Sequence, residues 1–291
     1  MVKWIRYVRD NEEDYGILYE DKIIPKGTLE KILKLSFPKN LEQLIESWEN
    51  YQQKFLDLQG YKDEEGILLS DVSKVLPPLL DPPKIICLGL NYYDHAKESN
   101  MPIPDEPPIF LKPRTCINGP YDDVIVPPIT KQVDYEVELA IIIGKKAKRV
   151  SEERALGYVF GYICFNDISA RDLQFKDKQW TRGKSLDTFA PIGPWIVTKD
   201  ELNPDNLTLS CKVNGELRQN SSTKFMIYKS SKIVSWLSQG ITLEPGDIIA
   251  TGTPSGVGAF YKPEPKYLED GDIVECFVEG IGSLRNRIVF K

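Results

Sequence analysis

The acidic run Val133-Asp134-Tyr135-Glu136-Val137-Glu138-Leu139-Ala140-Ile141 carries the most readable chemistry in this chain. Side chains alternate across a strand, so Val133, Tyr135, Val137, Leu139 and Ile141 share one face. Glu136 and Glu138 share the other, roughly 7 Å apart along the strand. Like charges at that spacing repel unless water, protons or a cation lies between them. On a face open to water the pair would be ordinary. Here the run continues into Ala140-Ile141-Ile142-Ile143, apolar on both faces, which predicts a sheet covered on both sides. A partly buried carboxylate pair suits a hard divalent cation such as Mg²⁺. A third acid, Asp167, ends the β-like run over 158–165, a position that suits a ligand or, equally, a cap. Ser169 and Asp172 are spaced to make a capping box for the helix beyond.

The only histidine lies in Gly89-Leu90-Asn91-Tyr92-Tyr93-Asp94-His95-Ala96-Lys97-Glu98. A short helix from Asp94 puts His95 and Glu98 on one face. A carboxylate on one imidazole nitrogen fixes the tautomer and leaves the other nitrogen free to move a proton, although the same spacing also makes a plain surface ion pair. Lys184, in Arg182-Gly183-Lys184-Ser185, falls in a predicted loop with little apolar cover, where simple solvation is the bland alternative. The segment Thr251-Gly252-Thr253-Pro254-Ser255-Gly256-Val257-Gly258 follows a strand and can present amides to an anion, or serve as a flexible turn. It lacks the Gly-Lys-Ser/Thr ending of a nucleotide phosphate loop.

These groups need a scaffold. Residues 4–8 and 15–24 predict strands joined by a polar turn at 10–14, and 28–35 and 41–58 predict helices. Leu41, Leu44, Ile45, Trp48, Tyr51, Phe55 and Leu58 form the core-facing stripe of the second helix. The run Leu76-Pro77-Pro78-Leu79-Leu80-Asp81-Pro82-Pro83 cannot continue a helix. The organisation read from this is a small accessory α+β domain over 1–75, a proline-rich linker over 76–83 and a β-rich α+β body over 84–291. Within the body, strands are predicted at 84–88, 109–112, 133–143, 158–165, 192–198, 207–213, 247–251 and 272–278. Two are introduced alike, by Leu243-Glu244-Pro245-Gly246-Asp247 and Leu268-Glu269-Asp270-Gly271-Asp272, which suits tight turns.

The 291 residues are 41% hydrophobic and 27% charged, a globular rather than a disordered composition. A net charge of −6 argues against a nucleic-acid or anionic-membrane surface. No run reaches the roughly 18 apolar residues of a membrane span, and Met1-Val2-Lys3-Trp4-Ile5-Arg6 lacks the apolar centre of a signal peptide. Cys87, Cys116, Cys164, Cys211 and Cys276 are widely spaced with no CxxC pair. That pattern predicts a reduced, cytoplasmic protein without a disulfide framework or thiolate zinc site.

Taken in chain order, the pieces resemble the fumarylacetoacetate hydrolase family. The matching residues are Gly89-Leu90-Asn91-Tyr92 with His95 and Glu98; Phe110-Leu111-Lys112-Pro113; Asp134-Tyr135-Glu136-Val137-Glu138-Leu139; Asn166-Asp167 with Ala170-Arg171-Asp172 and Gln174; Lys184-Ser185 with Asp187-Thr188-Phe189; and Thr251-Gly252-Thr253-Pro254 with Gly256-Val257-Gly258. The resemblance spans about 83–290. It implies a mixed β-sandwich roll, commonly dimeric, with Mg²⁺, Mn²⁺ or Ca²⁺ held by Glu136, Glu138 and Asp167. The larger members' additional aspartate ligand has no counterpart, so the chain is similar to the shorter acylpyruvase- and hydroxymuconate-isomerase-like members with an extra leading domain. On that footing His95, oriented by Glu98, activates a water, and Lys184 offsets charge on the substrate carboxylate or enolate. Lys112, Gln174, Gly252 and Thr253 are implied substrate contacts.

The implied activity is cation-dependent cleavage of a C–C bond in a small β-diketo or 2-oxo acid through a stabilised enolate. Isomerisation, decarboxylation or dehydration of a 2-oxo, hydroxymuconate-type or 3-deoxy-2-oxo sugar acid on the same site is the alternative. A non-catalytic scaffold is the third reading. Expected partners are a small anionic substrate and a second copy of the chain, with no nucleic acid or membrane.

Overall fold

The computed structural model describes residues 1–55 and 66–291. Period-2 apolar patterning gives strands, and these gather into a larger and a smaller sheet packed together, plus one two-stranded pair, with helices at the margins: a mixed β-rich α+β fold with no closed barrel among the described residues. The larger sheet runs, in hydrogen-bonded order, Ile67–Leu68, Lys22–Pro25, Glu12–Tyr19, Lys3–Arg9, Ala190–Thr198, Val159–Asn166, Val137–Ile143, Ile248–Ala250, Ile85–Leu88 and Ile109–Lys112. The smaller runs Glu216–Ser222, Thr208–Val213, Ile273–Val278, Gly282–Phe290 and Val124–Val126.

Strand Val137–Ile143 is buried along its whole length, and its alternate residues enter two different cores. Val137, Leu139 and Ile141 meet Leu209, Cys211, Val274, Cys276 and Leu284 between the sheets. Ala140 and Ile142 face the opposite side and share a core with Leu41, Leu44, Ile45 and Phe55. The sheet is therefore covered on both sides, as its all-apolar end requires. Glu136 and Glu138 precede Ala140 and Ile142 on that second face.

Among the described residues before 76, the strands Lys3–Arg9, Glu12–Tyr19, Lys22–Pro25 and Ile67–Leu68 belong to this same sheet. Lys3 pairs with Val197 and Trp4 with Ile196. The Trp4 ring meets Phe55 at 5.1 Å and Trp48 at 5.9 Å, and Trp48 meets Phe160 of the body at 5.2 Å. The first hairpin turn is shorter than 10–14: Asp10 and Asn11 alone close it, with left-handed φ of 53° and 65°. The strand expected at 15–24 is two, Glu12–Tyr19 and Lys22–Pro25, because a two-residue turn at Glu20-Asp21 preserves the apolar alternation on either side. The helix expected at 41–58 is broken into Leu41–Glu46, Trp48–Asn50 and Gln52–Phe55, with the Ser47 hydroxyl donating to the Gln43 carbonyl at 2.6 Å. Leu58 lies outside the described residues.

The two similar strand introductions fold alike. Glu244 N–H donates to Asp247 Oδ2 at 2.7 Å, Glu269 N–H to Asp272 Oδ2 at 2.8 Å, and Gly246 and Gly271 have φ of 87° and 88°. Only glycine adopts that backbone freely, so each turn is fixed by its glycine and its aspartate. Among the described residues no helix is long and apolar enough to cross a membrane.

Candidate metal and substrate site

The predicted strand 133–143 is interrupted where its acids lie. Val133–Asp134 pairs with Ser169–Ala170, while Val137–Ile143 pairs with Val159–Asn166. Tyr135 and Glu136 sit at the switch, and their backbone groups find other partners. Glu136 N–H donates to Asn166 Oδ1 at 3.0 Å, and Asp167 N–H donates to the Glu136 carbonyl at 2.9 Å. The link brings Asp167 against the acidic strand. Glu136, Glu138 and Asp167 each offer an oxygen within 4.8 Å of the others, and all three are buried.

Three cations surround this cluster. Lys184 Nζ donates to Glu136 Oε2 at 2.7 Å and Asp167 Oδ2 at 2.9 Å. Lys112 Nζ donates to Asp167 Oδ1 at 2.6 Å and also to the Lys184 carbonyl. Arg171 forks between Asp134 Oδ2 at 2.8 Å and Glu136 Oε1 at 2.6 Å, and reaches Gln174 Oε1 at 3.0 Å. Burial pushes the Glu136 carboxyl up, but Lys184 and Arg171 outweigh it and bring it down to about 2. Burial works against the Lys184 ammonium too, yet Asp167 and Glu136 raise it above its usual range.

Glu138 differs. Burial, joined by the like charges of Asp167 and Glu136, pushes its carboxyl well above the usual range. Its hydrogen-bond donor is the Gly252 amide at 2.7 Å, and among the described residues no cationic side chain pairs with it. A buried acid left uncompensated beside two others fits a missing positive charge, and an all-oxygen donor set matches a hard divalent cation. The residues present therefore fit Mg²⁺, Mn²⁺ or Ca²⁺.

Over the cluster, the short helix Tyr93–Glu98 brings His95 Nδ1 to 3.3 Å from Glu98 Oε2. Glu98 Oε1 accepts from the Gly256 amide at 2.9 Å, and Asp94 Oδ2 accepts from the Ser255 and Ser221 hydroxyls at 3.1 and 3.2 Å. The pair is thus pinned to the 251–258 segment. A cavity of about 140 Å³ lies beside it, lined by His95, Glu136, Arg171, Gln174, Lys184 and Thr253 on its polar side.

Several sequence expectations change here. Lys184 is not solvated: it ends the helix Thr181–Lys184 and is buried, its ammonium 5.2 Å from the Phe110 ring centre. Lys112 is buried behind Asp167 and is not among the cavity-lining residues. Three glycine amides of the 251–258 segment are taken by the chain's own carboxylates. Gly252 serves Glu138, Gly256 serves Glu98, and Gly258 serves Asp134 at 2.7 Å. Thr253 lines the cavity, and its Oγ1 donates to the Val137 carbonyl at 2.9 Å. The Ser169–Asp172 capping box does not form, because Ser169 lies in a strand and Asp172 accepts from the Thr130 hydroxyl at 2.6 Å.

Two residues escaped the sequence reading. Arg171 was visible only as part of a motif, although an arginine one turn from an Asn-Asp pair is suited to fork between acids. Gln219 carried no local signal. Fully buried, it accepts from Val137 N–H at 3.0 Å and donates to Thr253 Oγ1 at 2.8 Å and the Pro254 carbonyl at 2.9 Å.

Two packed sheets hold a buried acid cluster, and one of its members, Glu136, shares a small cavity with His95 and Lys184. The fumarylacetoacetate (FAA) hydrolase C-terminal model matches residues 84–289, and the chain belongs to the fumarylacetoacetate hydrolase family. A curated relative, the mitochondrial oxaloacetate tautomerase FAHD2B of Bos taurus, is 49% identical over 217 residues, covering 74% of this chain and 69% of that protein. The solved fumarylacetoacetate hydrolase of Exiguobacterium antarcticum is 39% identical with a TM-score of 0.84, covering 100% of both chains. The 5-carboxymethyl-2-hydroxymuconate delta-isomerase of Mycobacterium smegmatis is 36% identical with a TM-score of 0.77, covering 99% of each.

Proposed function

We propose that this protein is a divalent-cation-dependent keto–enol isomerase of a small 2-oxo acid, with oxaloacetate as the first substrate to try. The observation that carries this reading is that His95, backed by Glu98, opens on the same small cavity as Lys184 and Glu136. The names of the bovine tautomerase and the mycobacterial isomerase support it.

A bound divalent cation would be held by Glu136, Glu138 and Asp167 and would supply Lewis-acid polarisation of adjacent carboxylate and keto oxygens. Glu98 occupies His95 Nδ1, which leaves Nε2 to take a proton from the carbon next to the keto group and deliver it to the enolate oxygen, or to run the same transfer in reverse. An ammonium has three hydrogens, and Lys184 spends two on Glu136 and Asp167; the third can meet the oxygen where charge develops. Arg171 holds Glu136 and Gln174 in register, so the polar wall is rigid before substrate arrives.

The same His–Glu pair can activate a water, so hydrolysis of the C–C bond in a 2,4-dioxo acid is the second reading. Proton NMR on oxaloacetate and acetylpyruvate with Mg²⁺ separates the two. Faster exchange between keto and enol forms without new carboxylic acids supports isomerisation. Release of pyruvate and a second acid at the main rate would overturn it. We further propose a homodimer, and a monomer mass by light scattering would contradict that.

A further inference from the structure

We infer that Trp180, seated on Gly89 and braced by Phe110, is the specificity-determining wall of the cavity and confines its substrates to compact 2-oxo acids; this rests on the function proposed above. The polar side of the cavity is suited to the carboxylate and keto end of such an acid. The remaining wall includes Leu90, Met101, Phe110, Phe175, Trp180 and Phe260, all apolar, so it faces the substrate's tail without a charge to anchor one. The space is about 140 Å³, well below the roughly 300–1,000 Å³ of sites for drug-sized ligands.

Trp180 sets that limit because of how closely it is held. A Cβ placed on Gly89 would lie 2.2 Å from Trp180 Cζ3 and 2.6 Å from Cη2. The indole therefore rests directly on the glycine backbone. Gly89 does not have the left-handed φ that would explain a glycine by turn geometry, so the approach of the ring is the reason for it. Phe110 also meets the ring edge-on, 5.8 Å between centres at 71°. The Trp180 carbonyl also accepts the Lys184 N–H at 3.1 Å, so one helical turn fixes both the tail wall and the ammonium. A ring gripped in this way cannot swing aside for a longer substrate without giving up both contacts.

The test is kcat/KM for isomerisation by the full-length protein with Mg²⁺, on acetylpyruvate and on straight-chain acylpyruvates of increasing length. Trp180→Ala is expected to raise the long-to-short ratio by about 10-fold or more, since one methylene in an apolar pocket is worth about 10–200-fold. The change should fall mainly on KM, because the polar residues are unaltered. Trp180→Phe should keep a ratio near that of the wild type. Gly89→Ala keeps every residue of the Thr181–Lys184 helix and is expected to change the ratio by displacing the ring, so it carries the test if Trp180→Ala fails to fold. A ratio within about twofold of wild type in both Trp180→Ala and Gly89→Ala would overturn the inference. A wild-type preference for the longest chain would overturn it while leaving the isomerase intact. No turnover of any acid by the wild type would overturn the proposed function and this inference together.

Discussion

Glu138 is paired with no cationic side chain among the described residues, whereas Glu136 and Asp167 have Lys184, Arg171 and Lys112. Replacing it with glutamine should separate stability from function. Glu138→Gln keeps an oxygen for the Gly252 amide and removes the repulsion from its two neighbours. Its melting temperature in chelator is expected to rise by about 2–4 °C, equivalent to about 1 kcal/mol for a chain of this size. Its calorimetric titration with Mg²⁺ should show no binding heat; a lower melting temperature or wild-type binding would refute the assignment. His95→Ala should lower isomerisation by roughly 10²- to 10⁴-fold and leave the Mg²⁺ titration in place, because His95 belongs to the proton path and not to the acid cluster. Strand alternation put Glu136 and Glu138 on one face, whereas Asp167 read equally as a cap and joined them only through the family resemblance. The burial of Lys184 was not, because its neighbours in sequence are polar and its partners lie 17 and 48 residues away.

At the scale of elements, most strands of the body could be read from β-branched and aromatic runs, but what joins them could not. Strands Val124–Val126, Glu216–Ser222 and Gly282–Phe290 went unseen because they are very short or alternate polar residues that read as loop. The break at Tyr135-Glu136 was also hidden, as it depends on Asn166 and Gln219 taking over two backbone amides. Gln219 is the clearest case of an element joined by one side chain. Gln219→Ala would strip the buried Val137 amide of its partner and remove the donors to Thr253 and Pro254. Urea denaturation should show a loss of about 1–3 kcal/mol, the cost of a buried polar group left unpaired. Stability equal to wild type would mean water replaces the glutamine.

For the whole molecule, the sequence suggests a boundary near residue 75, but strand pairing joins the two sides non-locally. Lys3–Arg9 hydrogen-bonds to Ala190–Thr198, and the aromatic cluster of Trp4, Trp48 and Phe55 continues into Phe160. The chain is therefore expected to unfold in one cooperative transition. Trp4→Ala should move that whole transition by about 3–5 kcal/mol rather than release an early one. A separate low-denaturant step in Trp4→Ala would show that the leading residues fold by themselves.

The most direct test of the site follows the decay of enol oxaloacetate by its ultraviolet absorbance, with protein stripped by chelator and then resupplied with Mg²⁺. Stripped protein should give only the uncatalysed rate, and Mg²⁺ should restore fast decay. Full-speed decay in the stripped protein, or none after Mg²⁺ is returned, would contradict a cation-dependent isomerase built on Glu136, Glu138 and Asp167.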